Sequence, residues 1–185
     1  MVFYYKIRGR PCFNGHSHIT LSSEDIICYV GRDKHENEFL IEYGWPGDIW
    51  FHVDGLSSAH VYFRLKDTKW GVSSIPLDDL PKDAVYDMMQ ICKHNSISGC
   101  KLASCKIVYT PHSNLKKTFD MADGSVTYHN TKLNRYGRCE KDRQRVKELE
   151  RTKSTDMKVD YYQEMKDNER RILEQKKQQQ KQQKQ

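Results

Sequence analysis

Residues 48–64 read DIWFHVDGLSSAHVYFR, two alternating runs on either side of a turn-forming centre. In an extended chain successive side chains point to opposite faces. Asp48, Trp50 and His52 therefore share one face of the first run, and Ile49, Phe51 and Val53 share the other. In the second run His60, Tyr62 and Arg64 stand opposite in sense to Val61, Phe63 and Leu65. A hairpin centred near Leu56 sets His52 against His60, Trp50 against Tyr62 and Asp48 against Arg64, with both apolar triplets on one core face. The mixed face is unusual, because half-buried strands normally turn plain polar residues outward.

Three readings of that face are open from sequence. It is a second buried layer, covered by a helix over 78–98, with its polar tips hydrogen-bonded. It is a nucleic-acid platform, where aromatics stack bases while Arg and His meet phosphates. Or it is a catalytic or metal site on His52 and His60, with Asp48 orienting one imidazole. The third is the weakest: no serine or cysteine nucleophile stands at a fixed spacing, and no third metal ligand accompanies the pair. The chain is read as non-catalytic, without cofactor or metal.

Outward from the hairpin, VFYYKI (2–7) and DIICYV (25–30) are β-branched and aromatic and predict strands, with turn chemistry in GRPCFNGHSH between them. GRDKHENEFLIEYG predicts a helix capped by Asp33, supported by Glu36 and stopped by Gly44. Residues 78–98 have amphipathic helical spacing through Val85, Met88, Met89 and Cys92, with acids at the start and bases at the end. SCKIVYT (104–110) and SVTYH (125–129) predict further strands. The fold class is α+β: a mainly antiparallel sheet with packed helices, followed by charged C-terminal helices.

Residues 1–138 are expected to form the domain, 139–174 a charged helical extension, and 175–185 a low-complexity Lys/Gln tail. Ser154, Thr155 and Asp156 offer helix caps within the extension. Its apolar positions are too sparse for sustained heptads, which leaves pairing through these helices open. The 185 residues are 37% hydrophobic and 30% charged, and mean hydropathy is −0.87. The net charge of +6 is compatible with a polyanionic partner. The opening MVFYYKIRGR lacks the apolar core of a signal peptide, and no apolar run approaches membrane-span length. The expectation is a soluble protein of the cytoplasm, with the nucleus as second location, and reduced thiols at its six cysteines.

Between Met88 and Phe119 there is no acidic residue, while Lys93, Lys101, Lys106, Lys116 and Lys117 all fall inside. Such a run is a solvated face or a local positive field. The adjacent pair Lys116-Lys117, in a loop after Pro111, suits phosphates as point charges.

Four segments in order, DIWFHVDGLSSAHVYFR, NSISGCK (95–101), VYTPHSNLKKTFDM (108–121) and GSVTYH, resemble the NFACT-R domain in its stand-alone form. Asp48, Trp50 and His52 match its D-x-W-x-H segment, and His60 matches a later histidine. Lys116-Lys117 match a basic pair that precedes Gly124, Val126 and Tyr128. The resemblance implies a module that binds structured RNA, tRNA or rRNA, in translation or ribosome quality control, with ribosomal or translation factors as further partners. Peptide tailing, which belongs to larger relatives with added domains, is not implied. The expected nucleic-acid residues are Trp50, His52, His60, Tyr62, Arg64, Lys93, Lys101, Lys116 and Lys117. DNA binding is the near alternative, and an adaptor acting through the charged C-terminal helices is another.

Overall fold

A computed structural model describes residues 2–9, 22–66, 75–156 and 161–182. The turn expected through 9–18 lies almost wholly outside the described residues. The strands are β1 (Val2–Tyr5), β2 (Ile26–Gly31), β3 (Ile49–Val53), β4 (Val61–Leu65), β5 (Ser104–Pro111), β6 (Leu115–Lys116), β7 (Thr127–Tyr128), β8 (Arg135–Glu140) and β9 (Ser154–Asp156). The helices are α1 (Lys34–Tyr43), α2 (Lys82–His94), α3 (Arg143–Glu150) and α4 (Tyr161–Gln182). Seven strands form one antiparallel sheet in the order β8-β5-β3-β4-β2-β1-β9, and β6 and β7 form a separate small hairpin.

The register at the centre follows from the alternation. Trp50 faces Tyr62, Ile49 faces Phe63 and Phe51 faces Val61. The apolar face of β3 and β4 joins Cys28, Val30 and Ile107 and packs against Ala84, Met88, Ile91 and Cys92 of α2. The opposite face gathers Trp50, Tyr62, Tyr29, Val2 and Val108 with Leu40 of α1 and Leu115, Val126 and Tyr128. The mixed face is thus a second buried layer. Its cover, however, is α1 and the strap 111–128, because the 82–94 helix is already spent on the other face.

Local chemistry explains the helices. Asp33 accepts from the backbone of His35 and Glu36, which satisfies orphan donors at the start of α1, and Gly44 closes it. Glu36 reaches back to the Arg32 backbone at 3.3 Å. At Gly44 an added Cβ would lie 2.5 Å from His112 Nε2, so only glycine admits that imidazole, which meets the carbonyls of Leu40 and Ile41. In α2, Asp87 is fully buried and takes paired hydrogen bonds from both Arg8 and Arg145. That carboxylate ties the first strand region, α2 and α3 together.

Two expectations change here. The boundary at 138 falls inside β8, and the sheet continues through α3 to β9. Residues 154–156, read as caps, instead pair with β1 as an edge strand. The last helix also has a place in the fold: Tyr162 packs edge-on against Tyr43, and Arg171 lies over Trp45 at 5.0 Å.

Candidate nucleic-acid interface

The mixed face is built around two polar clusters. In the first, Asp48 is 1% exposed and accepts from Arg64 Nε at 2.8 Å, Arg64 Nη2 at 2.7 Å, Tyr29 Oη at 2.6 Å and the Trp45 backbone at 3.0 Å. The Arg64 guanidinium lies 4.0 Å from the Trp45 ring and 5.0 Å from that of Tyr29. Burial opposes the charge on Arg64, but Asp48 overcomes it and its pKa is raised. Tyr29 and Tyr62 stack at 4.8 Å, which completes a packed cluster.

In the second cluster Trp50 Nε1 donates to His60 Nδ1 at 2.9 Å. That bond places the His60 proton on Nε2, towards the Gly124 backbone. His52 lies nearly parallel to Trp50 at 5.1 Å, and Tyr128 meets the same indole at 6.1 Å and 65°. Burial pushes the pKa of His60 well below its ordinary value, with His52 adding to the effect. Burial also lowers His52 and His112.

These neutral imidazoles make stability pH-dependent. The unfolded chain binds their protons near pH 6.5, above the folded values, so the stability they confer is complete above about 6.5 and falls with acidification. Each contributes a slope of up to about 1.4 kcal/mol per pH unit. Urea unfolding between pH 7.5 and 5 should show the loss beginning near 6.5, before carboxylates titrate, and His112→Gln should flatten it. A level profile over that range would contradict the assignment.

The residues expected from sequence divide sharply. Trp50, His60, Tyr62 and Lys93 are each at most 2% exposed, and Arg64 is held by Asp48. Lys93 Nζ donates to the carbonyls of Gly99 and Leu102, closing the turn after α2. Lys117 binds Glu38 at 2.8 Å and the carbonyls of Ala122 and Ser125. Glu38 also accepts from the Gly124 backbone at 2.8 Å, so one carboxylate on α1 holds the strap at two points within it. Gly124 has φ +74, a left-handed turn that favours glycine. His52 is half-buried, and Lys101 and Lys116 are exposed.

An open part of the same face lies on β5 and β8, beyond the strap. Lys106 is paired in register with Arg138, and its ammonium sits 4.1 Å over the Tyr136 ring. Tyr136 is 48% exposed, and the Lys106 and Arg138 side chains are 58% and 75% exposed. Next to them a groove of about 960 Å³ is lined by Lys101, Arg138, Lys141 and Arg143, with Tyr86, Glu140 and Asp142 among its walls. Lys106 belonged to the acid-free run; Tyr136 and Arg138 gave no strand signal. Among the described residues no group of three His, Cys, Asp or Glu could hold a metal, and no helix is long and apolar enough to cross a membrane.

An antiparallel sheet with one face closed by a strap and a basic, aromatic open edge defines a small binding domain. The family model of the NFACT protein RNA binding domain matches residues 1–130, and the chain belongs to that family. Membership supports a nucleic-acid-binding role. The chain is 51% identical over 126 residues to coiled-coil domain-containing protein 25 of Danio rerio, covering 68% of this chain and 58% of that protein. It is 49% identical over 135 residues to the Dictyostelium discoideum homolog, covering 72% and 62%. Protein JLP2 of Saccharomyces cerevisiae is 36% identical over 112 residues, covering 60% and 51%. The chain thus spans between half and two thirds of the length of these relatives. The C-terminal part of the fibronectin/fibrinogen-binding protein from Streptococcus suis shares the fold, with a TM-score of 0.56 at 17% identity, over 79% of this chain and 47% of that one.

Proposed function

We propose that this chain is a non-catalytic, cytoplasmic RNA-binding protein that holds structured RNA, tRNA or rRNA, in a translation or ribosome-quality-control setting. The observation that carries the reading is the cross-strand set Lys106, Tyr136 and Arg138, two cations and an aromatic ring exposed on one sheet face. Their acidic neighbours, Asp54 at 3.1 Å from Lys106 and Glu140 at 3.4 Å from Arg138, form surface pairs. Such pairs are worth about 0–1 kcal/mol, so phosphates can displace the carboxylates. Lys101, Lys141 and Arg143 extend the track along the adjoining groove, and the family's description agrees with an RNA ligand.

Phosphate neutralisation releases counterions, so affinity must fall with salt. The double variant Lys106→Ala/Arg138→Ala should weaken RNA binding and reduce the magnitude of the log–log salt slope by about 1.5. Both side chains are exposed, so the fold should survive. Lys117→Ala should instead lower stability and leave the slope alone, because its ammonium is engaged within the fold. An unchanged slope in the double variant would remove the support for this surface. Matched RNA and DNA hairpins separate the two polymers, since phosphates alone do not read the 2′-hydroxyl.

A further inference from the structure

Away from the cationic surface on β5 and β8, α1 and α4 carry three aromatic rings in a row. Phe39 and Tyr43, one turn apart on α1, have ring centroids 6.3 Å apart and planes 18° from parallel. Tyr162 of α4 meets Tyr43 at 5.9 Å and 86°. Phe39 is 52% and Tyr162 53% exposed, so the rings order one another while their outer sides stay in water. Single exposed apolar side chains are ordinary, but three in mutual contact make a patch.

The charges beside the patch select what it can take. Glu42 is exposed and lies next to these phenols: its hydrogen bond holds the Tyr43 hydroxyl pKa up, and Tyr162 adds to the effect. No cation among the described residues pairs with Glu42. Bases nearby have other partners: Lys117 has Glu38 at 2.8 Å, Lys166 has Glu169 at 3.1 Å, and Arg170 has Asp167 at 3.7 Å. Arg64 has Asp48 at 2.7 Å and Glu164 at 3.4 Å, and Arg171 lies over Trp45. Lys34, in the first turn of α1, is about 12 Å along the helix from Glu42.

Open ring faces beside a carboxylate fit a guanidinium, which stacks flat on an aromatic ring while its fork donates to the oxygens. The fold uses the same contact internally: Arg64 lies 4.0 Å from the Trp45 ring and also forks onto Asp48. We propose that Phe39, Tyr43, Tyr162 and Glu42 form a docking site for an arginine-bearing segment of a partner protein. One guanidinium of that segment stacks on the rings and donates to Glu42. A polyanion is disfavoured by the same carboxylate. The site is therefore separate from Lys106 and Arg138, which stand on the β8 side of the sheet while α1 lies against β2, and it does not rest on the RNA reading.

The test uses the full chain, without RNA, and a short fluorescein-labelled Gly/Ser peptide bearing several arginines, with lysine, citrulline and glutamate versions beside it. Anisotropy should show saturable binding of the arginine peptide and about tenfold weaker binding of the citrulline peptide, which keeps the plane and loses the charge. The lysine peptide should fall between them, because an ammonium keeps the charge and loses the planar fork, and the glutamate peptide should not bind. Glu42→Gln should weaken the arginine peptide about tenfold, and Phe39→Ser about threefold. Both side chains are exposed, so Tm should hold in each variant. Glu174→Gln, which removes an exposed carboxylate farther along α4, should leave peptide affinity unchanged and so rules out mere attraction to an acidic surface. Lys106→Ala/Arg138→Ala should weaken RNA and spare the peptide, while Glu42→Gln should do the reverse. Equal binding of arginine and citrulline peptides, affinity indifferent to Glu42→Gln and Phe39→Ser, or no binding at all overturns the docking site and leaves the RNA reading standing. The RNA reading falls separately, by full RNA affinity in the Lys106/Arg138 variant.

Discussion

Asp48→Asn lowers the unfolding free energy by about 3–5 kcal/mol, one of the two largest effects expected of any substitution in this chain. The carboxylate receives two bonds from Arg64, one from the Tyr29 hydroxyl and one from the Trp45 backbone, all out of water. The amide that replaces it has one acceptor oxygen and no charge, and its NH₂ group points donors at donors. Arg64, with 12% of its side chain exposed, is then a cation without its counter-charge. The cost is that of stranding the partner, not the net worth of the pair, which burial of both charges partly cancels. A cycle with Arg64→Met separates the two. The double variant should be less destabilised than the sum of the singles, with a coupling of roughly 1–3 kcal/mol. Denaturant unfolding measures it, and simple additivity would show that the ion pair does not hold this face. If Arg64 instead served phosphates, Arg64→Met would reduce RNA affinity at unchanged stability.

The hairpin register, the apolar triplets on one core face and the capped α1 were all legible, because each rests on local periodicity or a local hydrogen bond. What covers the mixed face was not. Period-two alternation assigns side chains to faces, but it carries no information about which distant segment closes a face. The strap does so through Leu115, Val126 and Tyr128; the strand expected over 125–129 is present as β7, but its alternation does not say which face of the main sheet it covers. The edge strands escaped for a different reason. RYGRCE and STD contain few β-branched or apolar residues, and they join the sheet through backbone bonds to β5 and β1 that no side chain advertises.

The same limit governs the cations. A sequence counts Lys93 and Lys117 as free charge, yet their partners are mostly carbonyl oxygens at turns, which every residue carries. The acid-free run therefore contains two structural lysines, and its exposed members, Lys101, Lys106 and Lys116, are those left to meet a ligand. Lys106 was visible as one more lysine in the run. Its importance comes from the opposed Arg138 and Tyr136 on β8, beyond the 1–130 match to the family model.

Trp50→Ala should destabilise the domain by about 3–5 kcal/mol and lower Tm by roughly 6–20 °C, while Trp50→Phe should recover much of the loss. The indole is 2% exposed and is among the largest wholly enclosed side chains. Truncation removes its contacts with Tyr128 and His52, opens a cavity next to them, and takes away the indole N–H that donates to His60 Nδ1. Phenylalanine refills most of the volume but leaves His60 Nδ1 unpaired, so a residual cost of about 1–3 kcal/mol should persist. A base-stacking tryptophan at a surface would behave in the opposite way, with RNA affinity falling at constant Tm. Calorimetry beside RNA titration on the three proteins, at a temperature where all are folded, decides between these roles.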